Sequence, residues 1–264
     1  MIEEKAEIAF NNNVAPDTYL MGLRADGIAR SARPGQFVMI RVADTYQPLL
    51  RRPFSICSVN KDGLMLILYR RVGVGTGIMS GLEKRRYLSV VGPLGNGFGQ
   101  PDVPTSPILI GGGIGVAPLL FLAGNSGNDN LQFLAGFTTA SQKIPLHELL
   151  GSIVSISFST DDGTEGYRGF VTDLLLEYLE KLEHKKNMIR LYSCGPLMML
   201  KAVAGIAHEK KIPCLVSLEA HMACGIGACQ GCAIKASSIT GRDYLHVCKD
   251  GPVFPSEYID WDRI

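Results

Sequence analysis

The chain has 264 residues, 46% of them hydrophobic and 19% charged, and 26 basic residues nearly balance 25 acidic ones. This composition is typical of a globular protein long enough for two domains and a small third. The sequence has no basic stripe or tail, which argues against nucleic-acid binding. The first residues do not resemble a secretory signal, so we expect a cytoplasmic protein without disulfide bonds.

Residues 1–102 are expected to form an antiparallel β-barrel. Apolar runs at 37–42 and 64–69 have the character of short strands, and turn signals such as Arg33-Pro34-Gly35 separate them. Short strands at regular spacing favour a small barrel over a helical domain. The segment 101–107 contains three prolines in seven residues, which predicts a domain boundary there.

Strand-like and helical runs alternate from residue 103 to residue 215. They are strand 108–110, helix 118–123, strand 131–137, helix 144–150, strand 153–159, helix 171–182, strand 189–193 and helix 196–210. This alternation predicts a Rossmann-like domain with a parallel sheet between helices. The uncharged run 106–124 has the length of a membrane span, but its five glycines favour a strand, a turn and a helix.

A glycine-rich turn separates the first strand of this domain from its helix. It contains Gly111, Gly112, Gly113 and Gly115 and leads to Pro118. Glycines let the backbone approach a pyrophosphate closely, and a helix N-terminus favours its charge. The pattern is not the strict G-x-G-x-x-G, so a plain strand-to-helix turn stays as the alternative to nucleotide binding.

Two further patterns lie where strands of the same sheet end. Cys194-Gly195-Pro196 follows the fourth strand, at the edge where open α/β sheets bind ligands, and predicts an exposed Cys194. The alternative is a buried cysteine before a helix that has proline in its first turn. Asp161-Asp162 follows the third strand and would repel a 2′-phosphate, which favours NAD over NADP unless the pair is only a turn.

The predicted barrel carries two polar motifs. In Arg52-Pro53-Phe54-Ser55 the arginine could pair with a phosphate and the serine could bond to a ring nitrogen. The alternative is an edge strand with solvated arginines. Tyr69-Arg70-Arg71 leads into Gly75-Thr76-Gly77, which has the composition of an anion-binding turn.

The predicted third part, residues 216–264, carries four cysteines. Cys224, Cys229 and Cys232 have C-x4-C-x2-C spacing with glycines between them, and Cys248 follows further along. This is the spacing of plant-type [2Fe–2S] ligation. Structural zinc is one alternative, although zinc sites usually show paired knuckles. Disulfides are another, although they are rare in a cytosolic chain.

Together these motifs resemble the ferredoxin–NAD(P)+ reductase superfamily, and within it the electron-transfer subunits of class 1B dihydroorotate dehydrogenases. The resemblance implies an FAD-binding barrel, an NAD-binding domain and a small [2Fe–2S] domain, a combination of α+β and α/β folds. It implies that Arg52 and Gly75-Thr76-Gly77 hold the FAD pyrophosphate. Ser55 would then lie near flavin N5, and Tyr69-Arg70-Arg71 would line the isoalloxazine and ribityl chain.

The resemblance also implies that the loop Gly111–Gly115 takes the NAD pyrophosphate and that Cys194 approaches the nicotinamide. No side chain need act as an acid or base, because the cofactors carry the chemistry. Electrons would pass from an FMN-containing catalytic subunit through [2Fe–2S] and FAD to NAD+, in pyrimidine biosynthesis. A heterotetramer with two copies of each subunit, away from any membrane, is expected.

Two alternatives stay open at this point. The first keeps the fold and changes the partner, as in subunits of NADH-dependent ferredoxin:NADP+ oxidoreductase or of sulfide dehydrogenase. The second is a zinc-bearing, nucleotide-binding module without redox activity, which would be colourless.

Overall fold

The computed structural model of the chain describes residues 1–99, 106–127, 130–151, 154–182 and 189–264. The predicted boundary between residues 102 and 103 therefore lies outside the described residues. So does the predicted start of a strand at residue 153. Among the described helices, none is both long enough and apolar enough to span a membrane.

The N-terminal part is a closed barrel of six strands, which confirms the predicted barrel. Its elements are β1 (Ile2–Ala15), β2 (Thr18–Arg24), α1 (Asp26–Ser31), β3 (Phe37–Arg41), β4 (Arg52–Val59), β5 (Leu64–Arg70), α2 (Val74–Ser80) and β6 (Tyr87–Leu94). The strands are antiparallel and close in the order β1-β2-β5-β4-β3-β6. The motif Arg52-Pro53-Phe54-Ser55 therefore begins β4, and Tyr69 and Arg70 end β5.

Strand β3 is buried on both faces, unlike a typical barrel strand with one solvated face. Successive side chains of a strand point to opposite faces. Val38 and Ile40 accordingly belong to the core inside the barrel, whereas Phe37 and Met39 pack outward against the C-terminal part of the chain. The barrel is thus covered on this side by other residues of the same chain.

The second part is an open sheet with helices, as predicted. Its elements are β7 (Ser106–Gly112), α3 (Val116–Asn125), β8 (Gln132–Phe137), α4 (Leu146–Leu150), β9 (Ser155–Thr160), β10 (Tyr167–Arg168), α5 (Val171–Lys181), β11 (Ile189–Cys194), α6 (Leu197–Lys210) and β12 (Cys214–Ser217). The order is β10-β9-β8-β7-β11-β12, all parallel. The uncharged run 106–124 is β7, a turn and most of α3, as expected.

Helix α3 joins the barrel to the sheet. Eight of its ten residues are buried, because one side covers the sheet and another packs on β4. Phe121 even belongs to the core cluster inside the barrel. A helix that is apolar nearly all round is what such a position between two layers requires.

The C-terminal part leaves the sheet after β12 and then returns to it. The returning strand, β15 (Val253–Pro255), pairs antiparallel with β12 at the edge of the sheet. Between them lies a segment, 218–252, that we call the cluster segment; it contains the hairpin of β13 (Ala233–Lys235) and β14 (Tyr244–His246). The predicted boundary between residues 215 and 216 falls inside β12.

The cluster segment is also tied to the end of the barrel. The Asn96 amide donates a backbone hydrogen bond to the Gly251 carbonyl at 2.6 Å. The Asn96 side chain donates to the carbonyls of Lys249 and Asp250, both at 3.0 Å. These bonds place the four cysteines next to the barrel rather than at the end of a free tail.

Candidate functional site

The four cysteines lie at a tightly wound loop, residues 224–232, which we call the cysteine loop, and at Cys248. Gly225 and Gly227 have φ values of +73° and +80°, which glycine adopts without a steric penalty. These turns direct backbone amides at sulfur. Ile226 and Cys229 donate to Cys224 Sγ at 3.4 Å, and Gly227 donates to Cys248 Sγ at 3.1 Å. Such amides are suited to stabilising thiolates and the sulfurs of a cluster.

The cysteines are arranged as two pairs. Cys232 Sγ and Cys248 Sγ are 3.2 Å apart and buried. Cys224 and Cys229 form the second pair: the backbone amide and the thiol of Cys229 both hydrogen-bond to Cys224 Sγ. Among the described residues no three His, Cys, Asp or Glu side chains are grouped to hold one ion. Two pairs fit two irons with two thiolates each.

The free thiols differ in their pKa values. Burial raises the pKa of Cys224, but the backbone amides of Ile226 and Cys229 outweigh it and lower that pKa to about 6. Burial, followed by the neighbouring Cys232, raises the pKa of Cys248 to about 12. Bound iron would deprotonate all four, because a coordinating thiol is held as thiolate. The residues present therefore fit the group that their spacing predicted.

The barrel brings its two predicted motifs together. A Cβ added to Gly75 would meet Arg52 Nε at 2.7 Å, so the arginine lies directly over the glycine turn. The hydroxyl of Thr76 accepts the backbone amides of Val72 and Gly73 at 2.9 and 3.2 Å, which fixes the turn before α2. An arginine over a turn of this kind is a suitable site for a phosphate.

The residues of Tyr69-Arg70-Arg71 point in three different directions. The Tyr69 ring is buried inside the barrel, where it stacks on Tyr19 and donates to Asn11 Oδ1 at 2.9 Å. Arg71 pairs with Asp17 at 2.5 Å on the surface. Only Arg70 faces the second part of the chain. Any contact of Tyr69 with a flavin would therefore come from its backbone.

A cavity of about 480 Å³ lies between the barrel and the carboxyl edge of the sheet. Gly112 and Gly113 line it from the glycine turn, Asp161 from the end of β9, and Arg70 from the barrel. Ligands of open α/β sheets bind at this edge. The sequence motifs from the barrel and the sheet thus meet around one space whose volume lies in the usual range of ligand pockets, about 300–1,000 Å³.

The other glycines of the turn shape it without lining the cavity. A Cβ on Gly111 would lie 2.8 Å from Val116 Cγ1, and one on Gly115 would lie 2.5 Å from the Cys194 carbonyl carbon. Pro118 is buried within α3. The turn can therefore approach β11 only because these positions carry no side chain. Gly195 and Pro196 sit beside Gly112 in the same way, and Pro196 lines the cavity.

The prediction that Cys194 is exposed is wrong. Cys194 does end β11, but its side chain is 1% exposed because it packs among Tyr192, Val253 and other core residues. Burial, followed by the nearby Glu219 carboxylate, raises the pKa of its thiol. If Cys194 contacts a nicotinamide, it would do so as a neutral thiol that is buried in the absence of the ligand.

Glu219 is a candidate that none of the sequence motifs predicted. It follows β12, the strand next to β11, and its carboxyl is close enough to Cys194 to act on that thiol. Partial burial raises the pKa of the Glu219 carboxyl itself, although much of this residue is exposed to solvent. The rule that adjacent parallel strands end at one edge could have found it.

Replacing Arg52 with alanine is expected to weaken flavin binding by about tenfold to a hundredfold, because a charge-assisted phosphate contact is lost. Flavin retained after dialysis, titrated by fluorescence, measures this. Arg51→Ala is the matched control, since Arg51 points instead to Glu3 and Ser89. Equal flavin loss in both variants would contradict the assignment of Arg52.

The closed barrel, the parallel sheet and the paired cysteines define a reductase of the ferredoxin reductase type with an added iron–sulfur segment. The chain is 38% identical over 252 residues to the electron transfer subunit of dihydroorotate dehydrogenase B (NAD(+)) from Desulforamulus reducens, covering 94% of this chain and 95% of the relative. It belongs to the family of these electron transfer subunits. The Fusobacterium nucleatum subunit is 36% identical, with 95% and 96% covered.

Other comparisons agree with this family. The family model of the iron–sulfur cluster binding domain of dihydroorotate dehydrogenase B matches residues 219–260. The structure of an NADH-dependent reduced ferredoxin–NADP oxidoreductase superposes with a TM-score of 0.83 at 29% identity, covering 97% of this chain and 90% of that one. A ferredoxin reductase of carbazole 1,9a-dioxygenase, at 23% identity and a TM-score of 0.68, shares the fold over 80% of this chain and 67% of its own.

Proposed function

We propose that this chain carries electrons between a dihydroorotate-oxidising partner subunit and NAD+, through a [2Fe–2S] cluster and FAD. The observation that carries the proposal is the position of the four paired cysteines, on a segment packed against the barrel that holds the flavin motif. The chain's membership of the family of electron transfer subunits supports a dihydroorotate-oxidising partner and a place in pyrimidine biosynthesis. FAD would collect single electrons from the cluster and pass two of them to NAD+ as a hydride, so both groups are needed to couple the two reactions.

The residues of the chain supply binding and orientation. Arg52 and the turn Gly75-Thr76-Gly77 would hold the FAD pyrophosphate, and Ser55 on the same strand would lie near the flavin ring. The cavity at Gly112 and Gly113 takes the NAD pyrophosphate at the edge of the sheet, and Asp161 there disfavours a 2′-phosphate. Cys224, Cys229, Cys232 and Cys248 hold the irons. We propose the division into FAD-binding (1–102), NAD-binding (103–215) and cluster-binding (216–264) parts, with the last boundary moved to the end of β12 at Ser217.

The visible spectrum of anaerobically purified protein tests the proposal, before and after NADH is added. We expect one FAD and two irons per chain, with flavin and cluster absorption both bleached by NADH. NADPH should act much more weakly, because the acidic residue Asp161 lines the cavity. A colourless, zinc-containing protein would overturn the proposal in favour of a nucleotide-binding module.

The partner needs its own experiment. We propose an FMN-containing catalytic subunit, two copies of each chain and a cytoplasmic location. Co-expression with a dihydroorotate-oxidising subunit, followed by native mass measurement, is expected to give a 2:2 complex that reduces NAD+ with dihydroorotate. A protein that stays alone and instead exchanges electrons with reduced ferredoxin would favour the second candidate. That candidate rests on the 0.83 TM-score to the NADH-dependent ferredoxin–NADP enzyme.

A further inference from the structure

Met39 occupies the contact between the barrel and the cysteine loop. Its side chain is fully buried although it points out of the barrel. A Cβ added to Gly225 would come within 2.5 Å of Met39 Cγ and 3.0 Å of its Sδ. Gly225 follows the first cysteine, Cys224, so Met39 packs on the backbone that carries a cluster ligand.

The other side of Met39 faces the flavin strand. In the pairing of β3 with β4, Met39 lies opposite Pro53 and Phe37 lies opposite Ser55. Directly opposed residues share one face of the sheet, with Cβ atoms about 5 Å apart. Pro53 and Ser55 are half-buried on this outer face. Met39 therefore lies between the motif for the flavin and the loop for the cluster.

The fit at this contact is close. Gly225 has a positive φ that disfavours a side chain and also has no room for one. Leu94 is the next neighbour, 3.4 Å from the position that a Cβ on Gly225 would take. A flexible thioether fills such an irregular gap better than a branched side chain. A shorter residue at position 39 would leave a gap between the loop and the strand that surrounding atoms fill only in part.

We propose that Met39 is a positioning residue that fixes the separation of FAD and the iron–sulfur cluster and so sets the rate of electron transfer between them. The inference rests on the proposed function, because it requires both groups. Electron transfer slows with distance and across empty space, and the protein's contribution is to hold the two groups in place. Met39 touches neither reacting group in this scheme and acts through Gly225 and the outer face of β4.

The test uses the complete chain with both groups bound. NADH delivers a hydride that reduces the flavin by two electrons and leaves NAD+. One electron would then pass from the anionic reduced flavin to the oxidised cluster, a transfer that needs no proton to leave the flavin. Stopped-flow absorbance follows the first step, and freeze-quenched paramagnetic resonance of the reduced cluster follows the second. The midpoint potentials of both groups are measured alongside.

In Met39→Ala we expect flavin reduction within about twofold of the parent and cluster reduction slowed by roughly threefold or more, because packed contacts are lost. Met39→Leu should restore the second rate, since it keeps the volume. Met21→Ala removes an equally buried methionine inside the barrel, and should lower stability without slowing the second step. If Met39→Ala does not fold, Met39→Val provides the same comparison.

An unchanged rate of cluster reduction in the shortened variant would overturn the inference. So would an equal slowing in Met21→Ala, or a slowing explained by a shifted potential of either group. A parent protein that lacks flavin or cluster would instead overturn the proposed function. The two failures are thus distinguishable by the cofactor content of the parent.

Discussion

Cys248→Ser is expected to abolish the iron–sulfur cluster while leaving the flavin in place. Cys248 Sγ lies 3.2 Å from Cys232 Sγ and accepts the Gly227 amide. A serine hydroxyl is a hard, weakly acidic donor that replaces a soft thiolate poorly at iron. Iron content should fall to near zero and the broad cluster absorption should disappear. Flavin bleaching by NADH should continue, because the arginine and glycine motifs lie on other elements.

The control for this change is Cys214→Ala, at a buried cysteine of β12 outside the cluster segment. It should keep both irons per chain and lose only stability, since it removes no ligand. Circular dichroism establishes that each variant is folded. Full iron content in Cys248→Ser would show that Cys248 is not a ligand. Loss of flavin together with iron in a folded variant would mean that the two sites depend on each other.

Among glycine-to-alanine changes in the turn Gly111–Gly115, Gly115→Ala is expected to damage the nucleotide site most. The added carbon would meet the Cys194 carbonyl carbon at 2.5 Å and Gly195 Cα at 2.6 Å. Backbone atoms cannot rotate away, so β11 and the turn must separate, at a cost of about 1–3 kcal/mol. Because this moves Gly112 and Gly113 in the cavity, NADH affinity should fall by about tenfold or more, in line with that strain.

Gly124→Ala is the matched control on the helix that follows. An added Cβ there meets nothing within 4 Å, and alanine favours a helix over glycine by up to about 1 kcal/mol. Thermal unfolding should therefore move in opposite directions for the two variants, and an NADH titration should change only for Gly115→Ala. Unchanged NADH affinity in Gly115→Ala would refute the role given to this turn.

The features that the sequence predicted well are local. Glycine runs, the cysteine spacing and the alternation of strands with helices are set by neighbours in the chain, so the barrel, the sheet and the turn at Gly111–Gly115 could be read directly. Helix 171–182 and strand 64–69 are within a residue of their observed ends. The amphipathic period of the helix and the apolar run of the strand are both visible in the chain itself.

The features that the sequence did not predict depend on contacts between residues that are far apart in the chain. Cys194 lies in a buried core cluster that also includes Val253, far along the chain. Arg71 is held by Asp17 through the pairing of β2 with β5. The contact of Met39 with Gly225 joins residues separated by most of the chain. A period or a motif contains no information about such partners, because they arise only when the elements pack together.

The return of β15 to the sheet has a consequence for biosynthesis. Domains form from the N-terminal end as the ribosome delivers the chain, and β15 is delivered after every other described strand. Until it arrives, the outer edge of β12 has open hydrogen-bonding groups, which is the kind of edge that invites pairing with another chain. Cys248 emerges only a few residues earlier than β15. The ligand set and the protected edge of the sheet are therefore completed almost together, so metal loading and protection from self-association fall at the same late stage of assembly.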